Sequence, residues 1–218
     1  YFNDNKLNKE EFKKDLLKPR ALLGTEQLKW VKNKVDMKYR WSIFGQQLLI
    51  GPKYLPEIFK NEEISNNSSY YTSELAGEEL PFNTDQWDGY PREREEFYRT
   101  ISNSQSNLIL AGDSHNSWFS NLYDENNEFV GIEIGAPAIS SPSFGDTFKD
   151  KTRIIEDEFI KDNKDLLWVN GRNQGYVSLN ITELDVEVQF KYVSTVKSLD
   201  YEGLEPDVFR VEHNKPYS

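Results

Sequence analysis

The sequence predicts an α/β (α+β) fold in which mixed β-sheet layers are flanked by helices. Helical segments with capping signals alternate with apolar, strand-like segments through much of the chain. A short apolar run from Leu108 to Ala111 ends at a glycine, and two strictly alternating segments follow closer to the carboxyl end. A chain of 218 residues can bury a sizeable core, so we predict a single domain over residues 1–218.

The composition argues against several classes of protein. The formal net charge of −11 disfavours a broad nucleic-acid-binding surface, because phosphate backbones attract positive charge. No apolar run approaches the roughly 20 residues of a membrane-spanning helix. The chain has no cysteine, so a metal would be held by oxygen and nitrogen ligands. The first residues lack the basic start and apolar block of a signal peptide, as expected of a mature product or a fragment.

Capping residues and apolar spacing predict four helices. They are residues 8–17, a segment after Gly24, a segment that begins at Pro91, and residues 150–163. Asn8 is expected to cap the first helix and Thr25 the second. Pro91 suits the first turn of the third helix, because a proline there costs no intrahelical hydrogen bond.

Five strands are predicted from apolar runs and from alternation. They are residues 41–50, which end at Gly51 and Pro52, and residues 107–111, 128–134, 176–181 and 186–192. The last two alternate apolar and polar side chains across a short link, so we expect an antiparallel hairpin with a buried apolar face. Residues 60–86 are polar and are predicted to form a long loop.

The candidate site follows the strand at 107–111, where the sequence reads Gly112, Asp113, Ser114, His115. Gly112 is expected to let the backbone turn and approach other groups closely. Folds of the α/β class place ligands at such strand ends. If the segment stays extended, the side chains of Asp113 and His115 project to the same side and are expected to face one pocket.

Three interpretations of Asp113 and His115 are open at this point. The carboxylate and the imidazole could hold a metal cation, because Asp suits hard cations and His suits iron, zinc or manganese. They could instead form a general-base pair in which Asp113 fixes the tautomer of His115. In the third interpretation Asp113 caps the turn that follows and His115 makes one structural hydrogen bond.

Of five further residues, three have both a functional and a structural interpretation. Asn116 is a candidate amide ligand or a turn cap, and Trp118 lines the pocket or belongs to the core. Asp88 is a candidate catalytic residue, although Asp-Gly is first of all a turn signal. Glu133 lies on a predicted strand between two isoleucines, so it is either exposed or buried for a specific reason. His213 lies in a polar tail, and we expect no role for it.

Several segments together resemble the PhoD-like alkaline phosphatases, in the order found in that family and over about residues 20–195. These segments are "RALLGTEQLKWVKNKV", "RWSIFGQQLLIGP", "QWDGYPREREEF", "LILAGDSHNSWFSNLYD", "GIEIGAPAISSPS" and "NQGYVSLNITELDVEVQFKYV". The resemblance implies a calcineurin-like metallophosphoesterase with a four-layer α/β/β/α sandwich and metals at strand ends. It further implies hydrolysis of phosphate monoesters and diesters, export to the periplasm or outside the cell, and a cofactor of iron with calcium.

The resemblance also implies roles for individual residues. In the family's GDxH motif, Asp113 would be the oxygen ligand on the calcium side and His115 a ligand to iron. Asn116, Trp118 and Asp88 match family positions and are candidates for binding the phosphate-ester substrate.

One departure from the family pattern limits this inference. The remaining ligands of the family, including an Asp near a first strand, a GDxxY-type loop and an Asp-Asp-His stretch, are absent from this sequence. We therefore expect the chain to be the C-terminal portion of such an enzyme, with the missing N-terminal half as its partner. The alternatives are a non-catalytic half-fold that acts as a binding module, and a hydrolase that uses Asp113 and His115 without metal.

Overall fold

The structure, a computed structural model, describes residues 2–3, 6–35, 38–66 and 74–218. Its helices are α1 (Lys9–Leu16), α2 (Thr25–Lys34), α3 (Glu62–Ser65), α4 (Pro91–Ile101), α5 (Phe144–Phe148) and α6 (Thr152–Asp162). Short 3₁₀ helices occupy Glu57–Lys60, Trp87–Gly89 and Lys149–Lys151. Across this described part of the chain, no helix combines the length and the hydropathy that a bilayer crossing requires.

The strands of the described residues form three sheets. They are β1 (Phe2–Asn3), β2 (Lys6–Leu7), β3 (Ser42–Gly45), β4 (Asn107–Ala111), β5 (Ser117–Tyr123), β6 (Phe129–Gly135), β7 (Leu166–Asn170), β8 (Gly175–Ile181), β9 (Asp185–Tyr192) and β10 (Asp207–Glu212). Strands β1 and β2 pair with each other. The largest sheet has the order β3-β4-β6-β5-β7. Strand β4 is parallel to β3 and β6, whereas β5 is antiparallel to β6 and β7, so the predicted mixed sheet is confirmed.

The second large sheet contains the predicted hairpin. Strands β8 and β9 pair antiparallel, with Leu179 opposite Val188, and β10 pairs with the other edge of β9. The apolar side of β9 is buried as predicted and packs against apolar residues of the five-stranded sheet. This core contains Leu108, Phe119, Ile132, Ile134, Val186, Val188, Phe190 and Tyr192. The two sheets therefore face each other as a β-sandwich.

The helices cover the other face of the five-stranded sheet. Ile109 of β4 packs with residues of α2 and α4, and Trp118 of β5 packs with residues of α5 and α6. In the described residues the layers are thus helices, a five-stranded sheet and a three-stranded sheet. The α+β class is confirmed. The outer helical layer of a four-layer sandwich stays a prediction.

Two expectations about the first 50 residues are wrong. The strand at 41–50 is only four residues long, because residues after Gly45 leave the sheet and form an irregular segment. Thr25 does not cap α2, since Gly24 occupies the cap with a φ of 79°. The backbone N–H groups of Leu23 and Gly24 donate instead to the buried carboxylate of Glu93, at 3.0 and 2.8 Å. The predicted cap of α1 is confirmed, because the Asn8 side chain accepts from the Glu11 N–H at 3.2 Å.

The predicted loop at 60–86 is only partly irregular. It contains the short helix α3, and Ala76, Leu80 and Phe82 are buried. Residues 67–73 lie outside the described residues. The sequence did not predict β1, β2, β5, β7 or β10. All but the last residue of β5 are buried on both faces, so that strand lacks the alternation that identifies a strand.

We predict that Phe190→Ala lowers the free energy of unfolding by about 3–5 kcal/mol, because it leaves a cavity between the two sheets. Phe190 is fully buried and its ring contacts Trp168, with ring centroids 4.7 Å apart. Chemical denaturation of the two proteins measures the difference. The matched control is Tyr176→Ala on neighbouring β8, where the side chain is 56% exposed. Its cost should stay below about 1 kcal/mol, and an equal cost for both would contradict the sandwich.

Candidate functional site

The candidate site is the turn Gly112–Asn116, which joins β4 to β5. The N–H groups of Gly112 and Asp113 both donate to the carbonyl oxygen of Gln47, at 3.0 and 2.9 Å. The N–H of His115 donates to the Gly112 carbonyl at 3.3 Å. The left-handed backbone conformation falls on His115, with a φ of 61°, and not on Gly112. A methyl group at Gly112 would meet no atom within 4 Å, so neither predicted reason for this glycine applies.

Asp113 and His115 lie at the carboxyl end of the interior strand β4, as predicted. Asp113 is exposed and His115 is half-buried. Within the described ranges, no hydrogen bond or ion pair engages the Asp113 carboxylate or the nitrogens of the His115 ring. The structural interpretation, in which these side chains serve the turn, therefore has no contact to support it. Whether both side chains face one pocket stays a prediction.

Asn116 and Trp118 are buried beneath the turn, and their polar atoms bond within the protein. Asn116 Nδ2 donates to the Ser114 carbonyl at 2.7 Å, and its Oδ1 accepts from the Phe144 N–H at 2.9 Å. Trp118 Nε1 donates to Ser114 Oγ at 2.7 Å. The indole lies among the rings of Phe82, Phe144 and Phe159. Contact of Asn116 or Trp118 with a substrate stays a prediction.

Asp88 is buried in the 3₁₀ helix that precedes α4. Its Oδ1 accepts from the Lys53 N–H at 3.2 Å and from Arg94 Nη1 at 3.4 Å. Oδ2 is buried without a partner in the part of the chain that the structure describes. Loss of hydration outweighs the attraction of Arg94 and raises the pKa of Asp88 to about 7. Since these contacts are with Lys53 and Arg94, a role of Asp88 in substrate binding stays a prediction.

We predict that Asp88 makes the protein less stable as the pH rises from about 4 to about 7. An unfolded chain releases this proton near the ordinary pKa of 3.8, whereas the folded protein keeps it until about pH 7. The contribution of Asp88 to the free energy of unfolding should fall over this window and level off above it. Urea denaturation across this pH range should give a flatter profile for Asp88→Asn. An unchanged profile would show that the folded protein holds Asp88 ionised.

Glu133 is buried, and the structure supplies the reason. Its Oε2 forms a fully buried ion pair with Lys53 Nζ at 3.0 Å. Its Oε1 accepts from the N–H groups of Ile50 and Gly51. Glu133 therefore fastens the irregular segment after β3 to the centre of the sheet. That segment also contains Gln47, whose carbonyl holds the candidate turn.

The histidine in the tail makes structural contacts. His213 Nε2 lies 3.1 Å from the Arg40 carbonyl, and its ring meets the Trp41 ring edge-on. Sequence reasoning missed two groups that shape the site. Ser114, which looked like a spacer, accepts the Trp118 hydrogen bond, and Lys53 is the buried partner of Glu133. Glu133, a single charged residue on an apolar strand, was a signal in the sequence that a buried cation such as Lys53 could be its partner.

The donors present fit part of a metal site. On one turn, Asp113 and His115 offer a carboxylate and an imidazole that have no hydrogen-bond or ion-pair partner among the described residues. Iron, zinc and manganese accept both ligand types, and calcium accepts the carboxylate. Among the described residues, no group of three or more His, Cys, Asp or Glu side chains is placed to hold a metal ion. Asp113 and His115 can therefore supply two ligands, and the rest of a coordination shell has to come from elsewhere.

The protein is an α+β sandwich. At the end of its parallel strand β4, Asp113 and His115 carry a carboxylate and an imidazole without a partner among the described residues. The model of the PhoD-like phosphatase family matches residues 1–190, and the chain belongs to this family. Alkaline phosphatase D of Bacillus subtilis (strain 168) is 28% identical over 170 residues, which are 75% of this chain and 25% of that protein. The chain thus spans about a quarter of the length of this curated relative.

A solved structure of PhoD shares the fold. It superposes with a TM-score of 0.62 and 22% sequence identity, and the match covers 89% of this chain and 34% of that one. The layered α+β architecture described above is therefore shared with one part of that longer chain.

Proposed function

We propose that this chain forms part of the active site of a metal-dependent phosphatase that hydrolyses phosphate monoesters and diesters. The observation that carries the proposal is that Asp113 and His115, on the turn after β4, have no partner in the described structure. The chain belongs to the PhoD-like phosphatase family, which makes these two side chains candidate ligands. The buried sheet beneath the turn limits its movement, and a ligand pair held in place costs less to organise when a metal binds.

The proposed cofactor is iron with calcium. Asp113 would offer a carboxylate oxygen on the calcium side, and His115 a ring nitrogen to iron. A bound metal pair would supply an activated water and would neutralise charge on the oxygens of the phosphoryl group. Such a pair takes about six or more ligands. We propose that the N-terminal half of the same protein supplies the others, and that the protein acts in the periplasm or outside the cell.

The second candidate is a non-catalytic binding module. It is favoured by one observation, which is that no group of three or more His, Cys, Asp or Glu side chains in the described residues is placed to hold a metal ion. A general-base hydrolase without metal has less support. The structure places no carboxylate contact on the His115 ring in the described residues, so the orienting role of Asp113 is not seen.

The experiment that separates these proposals measures hydrolysis of p-nitrophenyl phosphate and of its bis-ester, with iron and calcium added. We expect turnover by a longer protein that includes the missing ligands, and little or none by these 218 residues alone. Turnover by this chain near about 10 per second, abolished by His115→Ala, would show that the site is complete within these residues. No turnover by a metal-loaded longer protein would favour the binding module.

A further inference from the structure

We propose that Asn116 is a positioning residue, whose buried amide fixes the turn Gly112–His115 so that Asp113 and His115 are presented together to a metal. This inference rests on the proposed function, because it concerns the same two ligands. It assigns Asn116 a place behind the ligands, where both ends of its amide are bonded within the protein.

The strained conformation of His115 is the first observation. Its φ of 61° lies in the left-handed region, which residues other than glycine seldom adopt. Such a conformation costs about 1–3 kcal/mol and persists only where surrounding contacts enforce it. Residues held in this way cluster at functional sites. The contacts that hold His115 are therefore part of how the site is built.

The Asn116 amide supplies two of these contacts. Its Nδ2 donates to the Ser114 carbonyl at 2.7 Å, and this bond closes the chain across His115. Its Oδ1 accepts from the N–H of Phe144, the first residue of α5, at 2.9 Å. Only 3% of Asn116 is exposed, so neither bond has water as a ready substitute. One side chain thus closes the turn and attaches it to a helix.

The neighbouring contacts hold the same segment from other directions. Trp118 Nε1 donates to Ser114 Oγ at 2.7 Å, and the Ala138 N–H donates to the His115 carbonyl at 3.3 Å. The start of helix α5 is itself held by the Ser143 N–H, which donates to Asp146 Oδ2 at 3.1 Å, and by the Asp146 N–H, which donates to the Ser143 carbonyl at 3.2 Å. Ser114 and His115 are therefore each bonded to a neighbouring segment. The Asn116 amide bonds both Ser114 and the first residue of α5, so it links the turn to that helix.

An asparagine meets both needs because its amide is a donor and an acceptor at once. Alanine would leave the Phe144 N–H and the Ser114 carbonyl without partners. Aspartate would keep the acceptor for Phe144 and lose the donor to Ser114. Alanine thus removes both bonds, and aspartate removes only the bond across His115.

The first test uses this chain and reads the backbone of His115 directly. The intraresidue NOE between the amide proton and Hα is strong when φ is positive and weak when it is not. We expect a strong NOE in the wild type and a weak one in Asn116→Ala. If Asn116→Ala does not fold, Asn116→Asp retains the bond to α5, and the NOE is expected to weaken there too.

The matched control is Asn163→Ala, which removes another buried asparagine that joins two segments. Asn163 accepts from the Tyr54 N–H at 2.6 Å and donates to the Phe159 carbonyl at 2.9 Å. It makes none of the contacts that hold the turn. The His115 NOE should stay strong in this variant, although its stability falls.

The second test measures binding of iron and calcium in the longer protein. Residues that orient metal ligands typically contribute 10–100-fold to metal affinity, and we expect a loss of about this size in Asn116→Ala. Asn163→Ala should stay within about twofold of the wild type. A strong His115 NOE in Asn116→Ala, or a metal affinity equal to that of Asn163→Ala, would overturn the inference. If His115→Ala leaves metal binding and activity intact, the proposed function fails instead, and the NOE still decides whether Asn116 holds the turn.

Discussion

His115→Ala in the longer protein is expected to abolish most of the hydrolysis of p-nitrophenyl phosphate. The imidazole is proposed to bond the metal directly, so the loss should exceed the 10–100-fold typical of residues that only support a ligand. We expect kcat to fall by more than about 100-fold and the bound iron to fall with it. Steady-state kinetics and metal analysis of the same preparations measure both effects.

The other histidine provides the control for this variant. His213 contacts Arg40 and Trp41 in the tail and is not part of the turn. His213→Ala should keep kcat within about twofold of the wild type. Equal losses in the two variants would mean that His115 acts only through the stability of the fold. Full activity in His115→Ala would remove it from the metal site.

Glu133→Ala is expected to destabilise the fold strongly. The substitution leaves the Lys53 ammonium buried without its partner and removes the acceptor for the N–H groups of Ile50 and Gly51. Breaking one side of a buried ion pair typically costs about 3–5 kcal/mol. We expect the free energy of unfolding, measured by chemical denaturation, to fall by about that amount.

A double substitution separates the buried charge from the lost packing. Lys53→Met removes the ammonium and keeps most of the side-chain volume, and Glu133→Gln keeps an acceptor for Ile50 and Gly51. Replacing a buried ion pair with uncharged groups often changes the free energy of unfolding only a little. The double variant should therefore recover most of the stability that Glu133→Ala loses. A loss as large as that of Glu133→Ala would show that the ion pair itself, and not the unpaired charge, controls stability.

The elements that the sequence predicted well share a local signal. The hairpin of β8 and β9 alternates apolar and polar residues because one face is buried and the other meets water. The apolar run of β4 ends where the polar turn begins, and this located Asp113 and His115. The helix at Pro91 followed from a proline that suits a first turn. In each case the information lies within a few residues.

The features that the sequence could not predict depend on distant partners. Strand β5 contains buried Ser117 and Ser120, and it is recognised only once β6 and β7 flank it. The pairing of Lys53 with Glu133 joins residues 80 positions apart. The cap of α2 comes from Glu93 on another helix. Local residue propensities contain no information on contacts between distant parts of the chain. The partner of a strand, of a buried charge or of a helix cap could therefore not be predicted.

The candidate site shows the same division. Its ligand types and its place at a strand end were readable from four residues. The left-handed conformation of His115 was not, because the glycine directly after the strand is the residue type that most readily adopts an unusual backbone conformation. The constraint falls on His115 because Asn116, Trp118 and Ala138 together hold the turn, and those contacts exist only in the folded sheet.

The most direct test of the proposed metal site is a crystal structure of the longer protein with anomalous scattering data at the iron absorption edge. Our account predicts an anomalous peak within bonding distance of a His115 ring nitrogen, with the Asp113 carboxylate bound to the same metal pair. The remaining ligands should come from the residues that this chain lacks. An iron peak elsewhere in the fold, with Asp113 and His115 both facing solvent, would contradict the account.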